Sequence, residues 1–208
     1  MTIQLYTWGT PNGRKVSILL EELGVPYAVH PVNIMKDEQF APEFLALNAN
    51  NKIPVIVDPD GPDGKPLMLA ESGAILIYLA QKFASPLWPT EPARQMQVLQ
   101  WLMFQMGGLG PMMGQLHHFR RYATGESYSL ARYEKEVHRL YGVLDGQLAQ
   151  GPFIAGADYS IADIAAYPWV NRFELHGIAW DRIPNVRRWY DEVGARPAVV
   201  RGMDVPKL

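Results

Sequence analysis

The sequence contains no cysteine among its 208 residues. The chain therefore has no disulfide, no thiolate ligand for a metal ion and no thiol nucleophile of its own. Because disulfides are typical of oxidising compartments, the cytoplasm is the default location that we expect for such a chain.

Long hydrophobic segments are missing as well. No apolar run approaches the roughly 20 residues that a membrane-spanning helix needs, and Glu71 interrupts the richest one. The first residues lead directly into a strand pattern, so we expect no signal peptide. The sequence shows neither an internal repeat nor a low-complexity tract.

Charge of either sign is scarce and evenly spread. The net charge is −2 and the isoelectric point is near 6.2, with no basic block. This balance argues against nucleic acid or an anionic membrane as a main partner. Hydrophobic residues make up 48% of the chain, which is enough for a sizeable core in one large domain or two small ones.

The first 84 residues predict a small α/β domain. Strand patterns at residues 3–7 and 27–32 flank a helix that Gly24 would end. The apolar residues of that helix recur at i, i+3, i+4 and i+7: Val16, Leu19, Leu20 and Leu23. A short second helix, a hairpin and a helix over residues 72–83 complete the order β-α-β-α-β-β-α.

The rest of the chain predicts helices only. Residues 85–90 contain two prolines and form the predicted linker, followed by an all-helical domain over residues 91–208. The helical stretch at 94–122 contains Gly107-Gly108-Leu109-Gly110-Pro111, which we expect to bend or break it. Further helices are predicted at residues 129–150, from Ser160, at 185–194 and from Arg196.

One stretch, residues 50–72, suits a small peptide ligand. The β-branched residues around Pro54 predict a strand, and this proline has no N–H to donate to a neighbouring strand. A cis Pro54 at the strand entry would leave the backbone of Ile53 free to pair with a peptide-like ligand.

The end of the same stretch offers charged and polar groups. Ser72 is a good N-cap for the following helix, whose first amides would accept a carboxylate. Glu71 would bind an ammonium group, and Lys52 adds a cation. The alternative is an ordinary hairpin that leads into a capped helix.

These features together resemble the cytosolic glutathione S-transferases, which have a thioredoxin-like N-terminal domain and an all-helical C-terminal domain. Lys52-Ile53-Pro54 followed by Glu71-Ser72 matches the family's glutathione site, in which the proline is cis. Ser160-Ile161-Ala162-Asp163 matches the capping motif of the family's sixth helix, with Asp in place of Glu or Gln. The resemblance spans essentially the whole chain.

A subgroup is also indicated, since four further segments resemble the bacterial nu class. That class consists of glutathione-dependent disulfide-bond oxidoreductases related to the fungal nitrogen regulator that forms prions. The segments are Thr10-Pro11-Asn12-Gly13, Asn50-Asn51-Lys52-Ile53-Pro54, Gly107-Gly108-Leu109-Gly110-Pro111-Met112 and His117-His118-Phe119. Other classes keep a Tyr, Ser or Cys that activates the thiol, but Tyr6 and the residues after it do not match that position.

Thr10 and Asn12 are consequently the predicted catalytic residues. They lie between the first strand and the first helix, where a thiolate would meet the free amides and the positive end of the helix. Hydrogen bonds from the Thr10 hydroxyl and the Asn12 amide would stabilise the thiolate of bound glutathione and lower its pKa from about 8.5. The alternative is that Thr or Asn simply caps the helix, with Pro11 near its first position.

The resemblance also implies binding roles for residues elsewhere. Gln39 and Ile53 would contact glutathione, and Lys52 would meet its glycine carboxylate. Arg132 would bind a carboxylate of a second glutathione molecule. The alternative for Arg132 is an i, i+4 pair with Glu136, worth about a few tenths of a kcal/mol.

Two further expectations concern metals and assembly. His117 and His118 are adjacent and so point to different helix faces. We expect them to be structural or to line a substrate pocket, and we expect no metal site. The helices from residues 94 and 129 carry more methionines and aromatic residues than one helical core needs, which predicts a two-fold dimer.

Three hypotheses about function follow. In the first, the protein is a glutathione-dependent disulfide-bond reductase, in which one or two bound glutathione molecules supply the thiols that the chain lacks. In the second, it is a conventional transferase that conjugates glutathione to a hydrophobic electrophile. In the third, it is a non-catalytic glutathione or hydrophobe binder with a regulatory role.

Overall fold

A computed structural model of the protein describes residues 2–123 and 125–207. The described residues form two compact units. One comprises the residues up to Ser85 together with those from Arg196 onward, and the other runs from Pro86 to Ala195. Within these residues, no helix is both long enough and apolar enough to span a bilayer.

The first unit is built on a sheet. Among the described residues it has four strands: β1 Ile3–Thr7, β2 Tyr27–Pro31, β3 Val55–Asp58 and β4 Leu67–Ala70. Their order is β2-β1-β3-β4, with β2 parallel to β1, and β3 antiparallel to both β1 and β4. Alternate residues Ile3, Leu5 and Thr7 of β1 are buried, as expected for a strand.

Helices connect and cover these strands. They are α1 Pro11–Leu23, α2 Pro42–Leu45 and α3 Ser72–Lys82, with short 3₁₀ helices at Ile34–Lys36, Glu38–Phe40 and Pro62–Gly64. The predicted order β-α-β-α-β-β-α is therefore confirmed. α1 buries Val16, Leu19 and Leu20, and it ends at Gly24, whose φ of 63° lies in the left-handed region that glycine favours.

The second unit is helical. Its helices are α4 Pro92–Phe104, α5 Gly110–Arg121, α6 Ser127–Leu148, α7 Ile161–Val170, α8 Phe173–His176 and α9 Pro184–Gly194, with a 3₁₀ turn at Trp180–Arg182. The predicted interruption near residues 107–111 is a π-helical segment, Gln105–Leu109, that joins α4 to α5. Pro111 lies in the first turn of α5, directly after this π-helical segment.

Asp163 holds the start of α7 in place. Ser160 and Asp163 form the predicted capping box. The carboxylate also accepts hydrogen bonds from the Ile154 N–H at 2.9 Å and the Trp189 indole N–H at 2.8 Å. Complete burial raises the pKa of Asp163 to about 6, although these donors act in the opposite direction. Asp163 is thus a fold residue, as the sequence predicts.

The last helix, α10 Pro197–Met203, belongs to the first unit. The predicted domain limits, by contrast, put this segment in the helical domain of residues 91–208. The Ser17 hydroxyl on α1 donates to the Gly202 carbonyl at 2.6 Å, and a side chain at position 202 would overlap Ile18. Two ion pairs add to this contact: Arg196–Glu22 and Arg201–Glu21.

Candidate functional site

The register of the sheet brings three chain segments to one edge of the first unit. Tyr6, near the end of β1, pairs with Val55, the first residue of β3. Val55 also pairs with Ala70, the last residue of β4. The chain therefore enters α1, approaches Pro54 and leaves β4 at the same end of the sheet, which places the predicted residues of all three segments there.

Thr10 caps the start of α1. Its backbone is extended and its Oγ1 accepts a hydrogen bond from the Gly13 N–H at 3.2 Å. Pro11 follows in the first turn, and Gly13 is required because a Cβ there would overlap Thr7 Oγ1 and the Trp8 carbonyl. The capping alternative is thus observed, yet the hydroxyl proton of Thr10 can still be donated to an anion.

Asn12 lies one residue into the same helix. It is half-buried, at the second position of α1. An anion near this point meets the positive end of the helix dipole. The local geometry therefore suits the stabilisation of a negatively charged sulfur.

Asn48 shapes the loop that precedes Pro54. Its side-chain oxygen accepts from the Asn50 N–H at 3.0 Å, its backbone carbonyl accepts from the Asn51 N–H at 2.9 Å, and its amide donates to the Lys52 carbonyl at 2.8 Å. Asn51 has a φ of 49°. The loop leaves the Lys52 side chain exposed.

Pro54 and Ile53 lie at the strand entry as predicted. The Ile53–Pro54 peptide bond is cis, which confirms the prediction. Pro54 is buried, and Ile53 packs against a small cluster formed by Val32, Phe44 and Val55. This packing holds in place the Ile53 backbone, which is predicted to pair with the ligand.

The Glu71–Ser72 segment begins α3 in an unusual conformation. Glu71, rather than the predicted Ser72, is the N-cap, and its φ of 67° and ψ of 107° are rare for a residue with a side chain. Strained residues of this kind persist where the surrounding structure holds them and cluster at ligand sites. Glu71 is exposed, whereas Ser72 is buried in the first turn.

Lys15 is a site residue that the sequence reasoning missed. Only 1% of it is exposed, and its Nζ lies 3.4 Å from Ser72 Oγ. Burial lowers the pKa of Lys15 to about 7, and the negative charge of Glu71 opposes this effect. A buried ammonium thus lies directly behind the predicted anion pocket.

Gln39 lies on the 3₁₀ helix that precedes α2. Its Nε2 donates to Asp37 at 3.4 Å. Its Oε1 is buried and has no hydrogen-bond partner within residues 2–123 and 125–207. A buried acceptor without a partner calls for a donor, and the backbone N–H of a peptide ligand would supply one.

Arg132 belongs to the second unit. It is exposed on α6 and lines a cavity of about 730 Å³. Among the described residues, Glu136 accepts hydrogen bonds of 2.7 and 2.8 Å from Arg139. The predicted pair between Arg132 and Glu136 is not among these bonds. The other lining residues are Met112, Tyr128, Tyr133, Lys135, Glu136 and Arg139.

His117 takes part in a buried cluster in the second unit. Its Nε2 lies 2.8 Å from His176 Nε2, and the Tyr141 hydroxyl lies 2.8 Å from His176 Nδ1. Burial lowers the pKa of His117 to about 4, with nearby arginines adding to the effect, and burial also lowers the pKa of His176. His118 is exposed. The described residues contain no group of three or more His, Asp or Glu side chains suited to a metal ion.

Known domains and proteins match this chain closely. The glutathione S-transferase N-terminal domain matches residues 10–82, and the glutathione S-transferase C-terminal domain matches residues 127–192. The disulfide-bond oxidoreductase YfcG of Escherichia coli is 46% identical over 198 residues, which cover 94% of this chain and 92% of that protein. The chain belongs to the glutathione S-transferase family. The predicted family is confirmed.

Two solved structures resemble this protein. A glutathione transferase from Burkholderia graminis, with two glutathione molecules bound per subunit, is 51% identical, covers 99% of this chain and 89% of its own, and has a TM-score of 0.92. A glutathione transferase from Pseudomonas putida, with one glutathione disulfide bound per subunit, is 48% identical and also has a TM-score of 0.92. The match covers 99% of this chain and 92% of that chain. The predicted two-domain fold class, thioredoxin-like and then helical, is confirmed.

Lys15 and Asn48 are the main features of the candidate site that the sequence does not single out. The sequence indicates the role of Asn48, because an Asn side chain before a turn often forms a hydrogen bond with the backbone two residues further on. The signal for Lys15 is weaker. It follows the predicted helix start by a few residues and directly precedes the buried Val16, so a long polar side chain there borders the core face.

Proposed function

We propose that this protein is a glutathione-dependent disulfide-bond reductase. The observation that carries the proposal is a chain without cysteine that presents a capped helix start, with Thr10 and Asn12, suited to an external thiolate. The similar structures support it, because two glutathione molecules are the reactants, and glutathione disulfide the product, of such a reaction. YfcG is itself named a disulfide-bond oxidoreductase.

The reaction takes place in two exchanges. The thiolate of a first glutathione attacks one sulfur of the substrate disulfide, which forms a mixed disulfide and releases the other substrate sulfur as a thiolate. The thiolate of a second glutathione then attacks the glutathione sulfur of the mixed disulfide. Glutathione disulfide forms, the second substrate thiolate leaves, and solvent protonates both released thiolates.

Thr10 and Asn12 are proposed to activate the thiol. The hydroxyl of Thr10 accepts from Gly13 and donates its proton to the sulfur, and the amide of Asn12 donates a second hydrogen bond. Both contacts stabilise the thiolate over the thiol, as does the positive end of α1. The bound thiol therefore ionises nearer to neutral pH than free glutathione does.

The remaining predicted residues are proposed to hold the peptide. Ser72 and the amides of α3 bind the γ-glutamyl carboxylate, and Glu71 binds the neighbouring ammonium. Ile53, placed by the cis Pro54, pairs with the ligand backbone, and Lys52 meets the glycine carboxylate.

Two side chains complete this assignment. Gln39 accepts a hydrogen bond from the peptide through its buried oxygen. Arg132 binds a carboxylate of the second glutathione.

A paired assay tests the proposed function. The protein is given glutathione with a small disulfide in one arm and with a chloronitrobenzene electrophile in the other. We expect disulfide reduction to exceed conjugation. Conjugation without reduction would instead make the protein a conventional transferase, and glutathione binding without either activity would make it a binding protein.

Three further assignments belong to the same proposal. The protein acts as a homodimer, the linker between its two domains lies at residues 85–90 with α10 returning to the first domain, and the protein works in the cytoplasm. The last follows because a reductase that consumes glutathione needs a compartment in which glutathione disulfide is reduced again.

A further inference from the structure

Lys15 is a buried cation for which the proposed chemistry has no task. It lies on α1, 1% exposed, with its Nζ 3.4 Å from the Ser72 hydroxyl. An ammonium in the protein interior is costly unless negative charge or hydrogen bonds offset the loss of water. The contact with Ser72 Oγ places this amine against the pocket proposed for the γ-glutamyl carboxylate, and this position points to a use for its charge there.

The charges around Lys15 come from a few elements. Glu71, at the junction of β4 and α3, is a charged group that stabilises the protonated form of Lys15. Several other charged residues on the packed helices form ion pairs with other groups. Arg196, the N-cap of α10, and Arg201 on α10 pair with Glu22 and Glu21 in the last turns of α1, and Lys82 on α3 pairs with Asp58.

We propose that Lys15 is a positioning residue that makes the Ser72 pocket selective for a carboxylate. It lies behind Ser72 and acts through the Ser72 hydroxyl, without touching the ligand. This inference rests on the proposed glutathione site and adds a source for the affinity of the γ-glutamyl end. The protonated form of Lys15 offsets the charge of Glu71 and attracts the carboxylate that Ser72 and the α3 amides receive.

The geometry implies that ligand binding and protonation of Lys15 are linked. Burial lowers the pKa of Lys15 to about 7, so a large fraction of the side chain is neutral at pH 8. A carboxylate that arrives at Ser72 favours the charged form and raises this pKa. For each unit by which the ligand raises this pKa, the protein with protonated Lys15 binds the ligand about tenfold more tightly than the protein with neutral Lys15 does. Affinity is therefore highest below pH 7 and falls as the pH rises above it.

S-methylglutathione is the probe that isolates this effect. It keeps both carboxylates and the ammonium of glutathione but has no thiol whose ionisation would add its own pH dependence. Calorimetry at pH 8 in two buffers of different ionisation enthalpy gives the number of protons taken up on binding. We expect net proton uptake at pH 8, little uptake at pH 6, and affinity that falls about tenfold between them.

Two substitutions separate charge from structure. Lys15→Met removes the charge while keeping an unbranched chain, so we expect about tenfold weaker binding at pH 6, no proton uptake and a flat pH profile. Lys15→Arg keeps a permanent charge, so we expect binding to stay tight at pH 8 as well. Lys82→Met is the matched control: it removes a paired lysine of the same unit and leaves the pH profile unchanged.

An analogue of S-methylglutathione that lacks the γ-glutamyl α-carboxylate completes a double-mutant cycle. The wild type and Lys15→Met should bind it equally, because the group that Lys15 attracts is gone.

Two results overturn the inference. Wild-type protein that binds S-methylglutathione without proton uptake and with a flat profile overturns it alone, even if Lys15→Met does not fold. Wild-type protein that does not bind the probe overturns the proposed glutathione site, and this inference with it.

Discussion

At the scale of single residues, Thr10 and Asn12 share one helix start but are not equivalent probes of it. Thr10 Oγ1 accepts from the Gly13 N–H, so replacing it with Ala removes a helix cap worth about 1 kcal/mol together with any contact to sulfur. Asn12 follows the cap, within the helix. Its substitution therefore leaves the Thr10 cap in place.

Asn12→Ala should reduce disulfide reductase turnover far more than it weakens glutathione binding. A hydrogen bond to a charged partner is worth about 1.5–3 kcal/mol. Its loss should raise the pKa of the bound thiol by about one to two units and slow turnover near neutral pH by one to two decades. The pH–rate profile with a small disulfide and saturating glutathione measures both effects. Thr10→Ser, which keeps the cap and the hydroxyl, is the control, and an unshifted profile for Asn12→Ala would exclude this role.

Glu71 combines an exposed carboxylate with a strained backbone. Its φ of 67° and ψ of 107° cost roughly 1–3 kcal/mol in a residue with a side chain. Glycine adopts positive φ without that cost. Ligand binding and folding therefore favour different residues at this position.

Glu71→Gly should stabilise the fold while weakening glutathione binding. We expect the free energy of unfolding to rise by about 0.5–1 kcal/mol, and the binding free energy to fall by about 1.5–3 kcal/mol because a charge-assisted contact is lost. Urea unfolding and calorimetry measure the two quantities. Glu71→Ala should lose the same affinity without the gain in stability, and unchanged affinity in both variants would refute the assigned orientation of the peptide.

At the scale of elements, α5, α6 and α8 are joined by a buried set of rings around His176. Burial lowers the pKa values of His176 and His117, the neighbouring Arg120 and Arg172 add to this effect, and both histidines stay neutral near pH 7. Both pKa values lie below the value of about 6.5 that histidine has in an unfolded chain. The stability that the neutral His117 and His176 contribute is complete above about pH 6.5 and is lost as the pH falls below that value.

His117→Gln should flatten the pH dependence of stability. Between about pH 6.5 and 4, each buried neutral histidine removes roughly 1 kcal/mol of stability per pH unit. Asp163 acts with the opposite sign, because its pKa is raised to about 6, so the comparison with a variant is more informative than the wild-type curve. Urea unfolding at pH 7.5 and 5 measures the slope. The neighbouring, exposed His118 supplies the control His118→Gln, and equal slopes in all three proteins would contradict the interpretation.

The elements also show which features a sequence can reveal. The Pro54 strand entry, the Gly24 helix end and the Ser160–Asp163 capping box were all predictable, because each depends on the chemistry of a few consecutive residues.

Features that depend on distant residues were not predictable. The burial of Lys15 behind Ser72 joins residues 57 positions apart, and the bond between His117 and His176 joins residues 59 apart. The contact of α10 with α1 joins residues 185 positions apart. The π-helical segment before Pro111 and the shift of the α3 cap to Glu71 depend on backbone geometry that composition does not specify.

At the scale of the whole molecule, the absence of cysteine and the surface of the helical unit both point to partners outside the chain. The first requires bound thiols for any disulfide chemistry. The second concerns Met96 and Met103, which are 55% and 49% exposed on α4. They are seven residues apart and so lie on one face of that helix, where a solvated surface usually presents polar groups. We infer that this face is part of the proposed dimer interface.

Met96→Glu combined with Met103→Glu should convert the proposed dimer to a monomer. Each substitution would place a charge in an apolar contact, where burial without a partner is costly. Sedimentation at micromolar concentration measures the assembly state, and thermal unfolding shows whether the variant is still folded. Val200→Glu is the matched control, because Val200 is equally apolar and 58% exposed but lies on α10 of the first unit. A wild-type protein that sediments as a monomer, or a double variant that still dimerises, would show that the methionine face of α4 has another use.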